Sequence, residues 1–126
     1  MQEREMQNPT ESEAYALRRA RLVQMHPSDI AAEIENLELD EIREVFRDLN
    51  DDKTADVIPE LPQELQTELM ENMRLERVTE IIPEMLSDEA ADALGDVSPE
   101  RLHDIMEKLP SEEYEEISDL MEYPED

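Results

Sequence analysis

The sequence predicts an all-α protein built as a solenoid, a stack of short helices that repeats about every twelve residues. Three observations predict this fold. Apolar residues recur with a period of twelve between residues 26 and 121, the apolar positions within each period fit one face of an α-helix, and prolines fall at the boundaries between periods.

The first predicted element is a longer helix over residues 11–25, ahead of the repeats. It carries the apolar residues Ala14, Leu17, Val23 and Met25 among arginines. We expect it to cap the solenoid, because terminal repeats need a polar outer face. Residues 1–10 are expected to be a flexible N-terminus.

Residues 26–121 divide without a gap into eight blocks of twelve, numbered here from block one to block eight. The twelfth position is apolar in every block, and the ninth is apolar in all but one, where Ser118 stands. Positions five, eight, nine and twelve have the i, i+3, i+4, i+7 spacing of one helix face. Each block is therefore predicted to be one short helix and its link, and such short helices need neighbours for stability.

The prolines and the single glycine predict where these helices begin and end. Four prolines stand at block starts, where a missing N–H costs nothing, and two stand near block ends, where a helix should stop. The first group is Pro27, Pro62, Pro99 and Pro110, and the second is Pro59 and Pro83. Gly95 precedes a block end by two residues and is predicted to cap a helix C-terminus.

The composition excludes several classes of function. With 37 acidic and 11 basic residues the formal charge is -26, so nucleic acid and anionic membranes would be repelled, whereas divalent cations and basic surfaces are favoured partners. The surface is also suited to concentrated salt, which screens self-repulsion. No apolar run approaches the length of a membrane span, so we expect a soluble, cytoplasmic chain with no direct membrane insertion.

The residues do not predict an enzyme. Cysteine is absent, which excludes disulfides, thiolate metal sites and cysteine catalysis. His26 and His103 are far apart in sequence and are interpreted as structural. The remaining candidates are carboxylates without the signature of a catalytic pocket.

Acidic residues occupy two positions of the repeat in seven of eight blocks, position three and position seven. Position three lies in the first helical turn, where a carboxylate is stabilised by the helix dipole, and position seven faces solvent in the ordinary case. The functional interpretation is that stacking aligns the position-seven acids into a surface that holds hard divalent cations through oxygen ligands. Two pairs consist of the short Asp at both positions, Asp52 with Asp56 and Asp88 with Asp92.

Three motifs add a family resemblance to this repeat. The start "HPSDIA" at His26, the segment "SDEAADAL" from Ser87 and the ending "YPED" at 123–126 together resemble the N-terminal cytosolic domain of the MgtE family of magnesium channels and transporters, from about Met25 onwards. The resemblance implies a right-handed superhelix of short helices. It also implies that residues 122–126 begin a linker towards a region of CBS domains and, beyond it, a transmembrane pore.

The function that this resemblance implies is regulation by magnesium. Mg²⁺ would lodge between acidic faces of this domain and the CBS domains when its cytosolic concentration is high, and would favour the compact state that closes the pore. The Mg²⁺-contacting carboxylates carried over from the family are Asp56, Asp88 and Asp92, with Asp56 standing where the family often has Glu. The chain would then act at the cytoplasmic face of the membrane, and Mg²⁺ binding to the isolated domain is expected to be weak because the CBS partner completes the sites.

A second hypothesis needs no metal. In this hypothesis the chain is a helical-repeat module for protein interaction, similar to the middle segments of flagellar motor switch proteins, which share short-helix repeats. Under this hypothesis Asp56, Asp88 and Asp92 are ordinary solvated acids. The "YPED" ending and the Asp pairs favour the magnesium hypothesis, because a module of this kind has no reason to carry them.

Overall fold

The computed structural model describes residues 11–123, apart from the side chains of Glu11, Ser12, Tyr15 and Arg19. The segment 1–10 predicted to be flexible, and most of the predicted linker, lie outside these residues. Within the described range the chain is all-helical, with no strand, which confirms the predicted all-α class. The helices are α1 (Glu11–Leu22), α2 (Pro27–Ile34), α3 (Leu39–Arg47), α4 (Asp51–Val57), α5 (Gln63–Asn72), α6 (Leu75–Ile81), α7 (Ser87–Leu94), α8 (Pro99–Glu107) and α9 (Ser111–Met121).

Each block of the repeat forms one α-helix, from α2 in block one to α9 in block eight. The prolines act as predicted. Pro27 and Pro99 are the first residues of their helices, and Pro62 and Pro110 directly precede theirs. After α4 and α6 the chain tightens into 3₁₀ turns, Ile58–Glu60 and Ile82–Glu84, each with its proline in the middle.

Gly95 lies at the C-cap of α7, as predicted, but with φ -61° it stays in the right-handed region. The left-handed conformation that usually favours glycine at helix ends is therefore not what places it there. Among residues 11–123 the one positive φ outside glycine belongs to Glu122, which follows α9 with φ 56°.

The core follows the repeat register. Position nine is buried in every block, and positions eight and twelve are buried in most. Position five carries two buried polar residues, Thr54 and Gln66. Gln66 satisfies its amide within the fold, because its Nε2 donates to the carbonyl oxygen of Leu61 at 2.9 Å.

The leading helix differs from its prediction. It ends at Leu22 rather than at residue 25, and the chain then turns towards α2. Leu17 and Val23 are 66% and 49% exposed, whereas Leu22 is fully buried and Met25 packs partly buried against the core. Counting the register back by one block places Leu22 and Met25 at positions nine and twelve, so the apolar pattern of the repeat begins inside this segment.

Helices pack chiefly against the next but one along the chain. One series of contacts runs through α2, α4, α6 and α8, and another runs through α5, α7 and α9. A pair of arginines at position four joins blocks further apart: Arg77 donates to the carbonyl oxygen of Leu49 at 2.9 Å, and Arg101 donates to that of Met73. No helix in the described range has the length and apolar character that a membrane span requires.

Candidate functional site

The three carboxylates predicted to contact Mg²⁺ lie on two helices. Asp88 and Asp92 stand one turn apart on α7, and Asp56 stands near the end of α4. All three are exposed. Asp88 lies in the first turn, where its Oδ1 accepts a hydrogen bond from the backbone N–H of Glu89 at 2.9 Å. A carboxylate at this position is also stabilised by the positive end of the helix dipole.

Contacts between blocks hold these helices together. The 3₁₀ turn Ile58–Glu60, which follows α4, contacts α7 and so brings Asp56 and Glu60 beside it. From the other series, Gln63 of α5 donates from Nε2 to the carbonyl oxygen of Asp92 at 2.8 Å. The backbone that carries the predicted pair is thus held by these two neighbours, in addition to α9, against which α7 also packs.

Glu89 lies among all of these acids. Its pKa is raised, first by partial burial and then by the negative charges of Asp88, Glu60, Asp56 and Asp92. The structure therefore places the three predicted carboxylates around one partly buried glutamate. We call this set of five carboxylates the acidic face: Asp56, Glu60, Asp88, Glu89 and Asp92.

Glu60 and Glu89 were missed as site residues by sequence reasoning. They fall at positions eleven and four of their blocks, which are outside the two acidic positions of the repeat. No periodic signal points to them. Glu89 could have been suspected only because it directly follows Asp88 in a segment that the family resemblance had already marked.

The two members of the other short Asp pair, Asp52 and Asp56, do not belong to one site. Asp56 belongs to the acidic face, whereas Asp52 lies beside Glu84 at the second 3₁₀ turn, where protonated Glu84 can donate a hydrogen bond to it. That bond and the charge of Asp52 raise the pKa of Glu84, and the charge of Asp51 adds to the effect. The spacing of Asp52 and Asp56 is therefore not by itself the sign of a shared site.

The acidic face offers the type of ligand that a hard cation prefers, but not a full set of ligands. Carboxylate oxygens are the ligands that Mg²⁺ takes in proteins, usually one or two per ion beside several waters. Within residues 11–123, however, no three or more His, Asp or Glu side chains lie close enough together to hold a metal ion. The negative charge of the face has the sign that attracts cations.

Two comparisons with known proteins bear on the family. No curated protein matches this chain. The family model described as the MgtE intracellular N domain matches residues 25–126, which covers the whole repeat and both segments of the acidic face. The predicted resemblance is thereby confirmed, and the chain belongs to the family of MgtE intracellular N domains.

Proposed function

We propose that this chain is the cytosolic regulatory domain of a magnesium channel or transporter, and that it senses intracellular Mg²⁺ through its acidic face and helps to gate the pore. The observation that carries the proposal is the meeting of carboxylates from blocks three and six on one face. The family provides the context of a magnesium transporter. No catalytic role is proposed.

The mechanism is electrostatic. Two carboxylates about 6 Å apart in water repel each other by roughly 0.7 kcal/mol, and several such pairs add up to a bias against bringing two acidic surfaces together. Mg²⁺ between this face and the CBS domains would cancel the repulsion and favour the compact state. A fall in the Mg²⁺ concentration would restore the repulsion and disfavour the compact state. A ligand shifts a conformational equilibrium by its preference for one of the two states.

Glu89 gives the proposed binding a dependence on pH. Its pKa is raised by burial and by four neighbouring acids, so part of its protonated form persists at pH values where an isolated glutamate is ionised. Mg²⁺ would favour the ionised form and compete with that proton. We expect Mg²⁺ affinity to fall as the pH is lowered through the pKa of Glu89.

The direct test is Mg²⁺ titration of the chain at constant ionic strength, followed by the NMR side-chain signals of its carboxylates. We expect shifts concentrated on Asp56, Asp88 and Asp92, and their loss in the triple variant Asp56→Asn, Asp88→Asn, Asp92→Asn. The matched control is Glu64→Gln, Glu80→Gln, Glu100→Gln, which removes the same charge from exposed sites elsewhere. If Glu64 and Glu100 respond as strongly as the three aspartates, the site assignment is wrong.

Gating needs a separate measurement in a transporter that contains this domain. We expect the Asp triple variant to raise the Mg²⁺ concentration at which transport stops, while the glutamate control leaves it unchanged. Closure at the same concentration in both variants would contradict the gating role even if the isolated chain binds Mg²⁺.

A second candidate is the metal-independent interaction module. It is favoured by the absence of a group of three metal-binding side chains in residues 11–123. If this candidate is correct, neither triple variant changes the response of the chain or of the transporter to Mg²⁺.

A further inference from the structure

Four arginines meet at one place in this strongly acidic chain. They line a cavity of about 160 Å³ between the end of α3 and the link from α5 to α6, with Met73 as its apolar wall. We call it the arginine pocket: Arg43, Arg47, Met73, Arg74 and Arg77. Four of the chain's 11 basic residues therefore share one concave site, on a molecule with 37 acids.

One of the four is part of the fold. Arg77 places Nε 2.9 Å from a carboxylate oxygen of Asp51, and its Nη2 donates to the carbonyl oxygen of Leu49 and the hydroxyl of Thr54. Its guanidinium is thus largely used by the protein. It forms a fixed wall of the pocket, and its positive charge is paired with Asp51.

The other three arginines make fewer polar contacts within the chain. Within the described part of the chain, the one ion pair of Arg74 is with Glu76, at 3.9 Å. Both side chains are at least 70% exposed, and a pair this exposed contributes little. Among residues 11–123, no carboxylate forms an ion pair with Arg43 or Arg47. These two stand four residues apart on α3, where like charges repel.

Stabilisation by a helix dipole explains the position of only one of these three arginines. Arg47 lies in the last turn of α3, where a cation is stabilised by the helix dipole. Arg43 lies in the middle of that helix, and Arg74 lies at the N-cap of α6, where the dipole disfavours a cation. The helix dipole therefore does not account for Arg43 or Arg74, and a bound anion would give their guanidinium groups a partner.

The size and chemistry of the pocket define the ligand. Planar guanidinium groups bind phosphate oxygens in pairs, which makes arginine the preferred residue for such groups. A cavity of about 160 Å³ holds one tetrahedral oxyanion but lies below the roughly 300 Å³ at which pockets begin to enclose drug-sized molecules. We propose that the arginine pocket binds a single phosphate group through Arg43, Arg47 and Arg74, either as free phosphate or as the exposed end of a phosphomonoester.

The experiment is titration of the chain with inorganic phosphate at pH 7, with KCl replaced so that ionic strength stays at 0.15 M, where charges beyond about 8 Å are screened. The readout is the Nε–H NMR signal of each arginine. We expect shifts at Arg43, Arg47 and Arg74, and none at Arg21 or Arg101. A second titration with glycerol phosphate separates free phosphate from a phosphate group carried on a larger molecule.

Two double variants with equal charge change make the test specific. Arg43→Gln with Arg47→Gln should weaken phosphate binding at least about tenfold, because each removes charge-assisted hydrogen bonds. The control, Arg21→Gln with Lys108→Gln, removes two exposed positive charges outside the pocket and should leave binding unchanged. Arg74→Gln, at a side chain 80% exposed, gives a weakened variant whose fold is not at risk.

Three results would overturn the proposal. They are equal shifts at all arginines, equal weakening by both double variants, and binding of a glutamate hexapeptide at the pocket without binding of either phosphate probe. The last result would assign the pocket to an acidic segment of a partner protein. Because none of these readouts involves Mg²⁺ or the acidic face, failure here leaves the proposed function untouched.

Discussion

Glu84 shows how a single carboxylate in this chain lowers stability at neutral pH. The hydrogen bond with Asp52 and the charge of Asp52 raise the pKa of Glu84 above that of an unfolded chain. A raised folded-state pKa means that the contribution to stability is present in acid and is lost as the pH rises through that pKa. At pH 7 the pair is therefore repulsive.

We accordingly expect Glu84→Gln to raise the melting temperature at pH 7, because it keeps a hydrogen-bonding side chain and removes one of the repelling charges. At pH 4 the gain should shrink, since Glu84 is then largely protonated in the folded protein. Glu80→Gln makes the same charge change on the preceding helix and serves as the control. Thermal unfolding by circular dichroism at the two pH values measures both variants. An equal gain from both would show that net charge, and not the contact with Asp52, is responsible.

Arg101 holds two helices together through backbone oxygens. Its Nε donates to the carbonyl oxygen of Met70 at 2.9 Å, and its Nη2 donates to that of Met73, so α8 satisfies the C-terminal end of α5. We expect Arg101→Met to lower the free energy of unfolding by about 2–3 kcal/mol, because hydrogen bonds from a charged donor are lost at a partly buried site.

Urea unfolding measures this loss. Lys108→Met, at the exposed end of the same helix, is the control and should change stability by less than about 0.5 kcal/mol. If the two variants are equally stable, the arginine contacts do not hold α8 to α5.

At the scale of the element, α7 and α8 differ in how they begin. Ser98 caps α8, where its Oγ accepts from the backbone N–H of Arg101 at 3.4 Å and donates to Glu71 at 3.2 Å. The N-cap of α7 is Leu86, which makes no such hydrogen bond and leaves its side chain 66% exposed. The helix that carries three of the five carboxylates of the acidic face thus starts at a residue unsuited to the role.

We expect Leu86→Ser to stabilise the protein by about 0.5–1 kcal/mol, because a hydroxyl can satisfy an N–H of the first turn and little buried apolar surface is lost. Ser98→Ala should do the opposite and cost about 1 kcal/mol. Both are measured by urea unfolding with an unchanged dependence on denaturant. A loss of stability in Leu86→Ser would mean that the leucine packs in a way that its exposure does not suggest.

The elements were predictable because their signals are local. The apolar residues at i, i+3, i+4 and i+7 predict one helix in each block, and the prolines limit where that helix begins and ends. The leading helix was the exception. Leu17 and Val23, two of the apolar residues that predict this helix, are exposed, whereas Leu22, which the register places at position nine, is the residue that the fold buries.

The acidic face could not be predicted from spacing, because it joins two segments whose residues are 28 or more positions apart in the chain, such as Glu60 and Asp88. A period of twelve predicts that the helices stack, but it does not predict that each helix contacts the next helix but one along the chain. The family resemblance therefore identified these aspartates, while Glu60 and Glu89 became visible only when the 3₁₀ turn was seen against α7.

At the scale of the whole molecule, the charge of -26 opposes the compact state, because folding brings like charges closer together. Salt weakens this repulsion, since the screening length falls from about 10 Å at 0.1 M to about 3 Å at 1 M. We therefore expect the melting temperature to rise steadily between these KCl concentrations. Sucrose, which stabilises proteins by exclusion from their surface without screening charge, is the control solute.

A variant with fewer charges separates screening from other effects of salt. Glu68→Gln, Glu80→Gln and Asp104→Asn replace three exposed acids at position seven, none of them on the acidic face, and change the formal charge from -26 to -23. Such a variant should melt at a higher temperature in 0.1 M KCl and gain less from 1 M KCl than the original chain, because less repulsion remains to be screened. An equal gain in both proteins would show that KCl acts through the apolar core rather than through the charged surface.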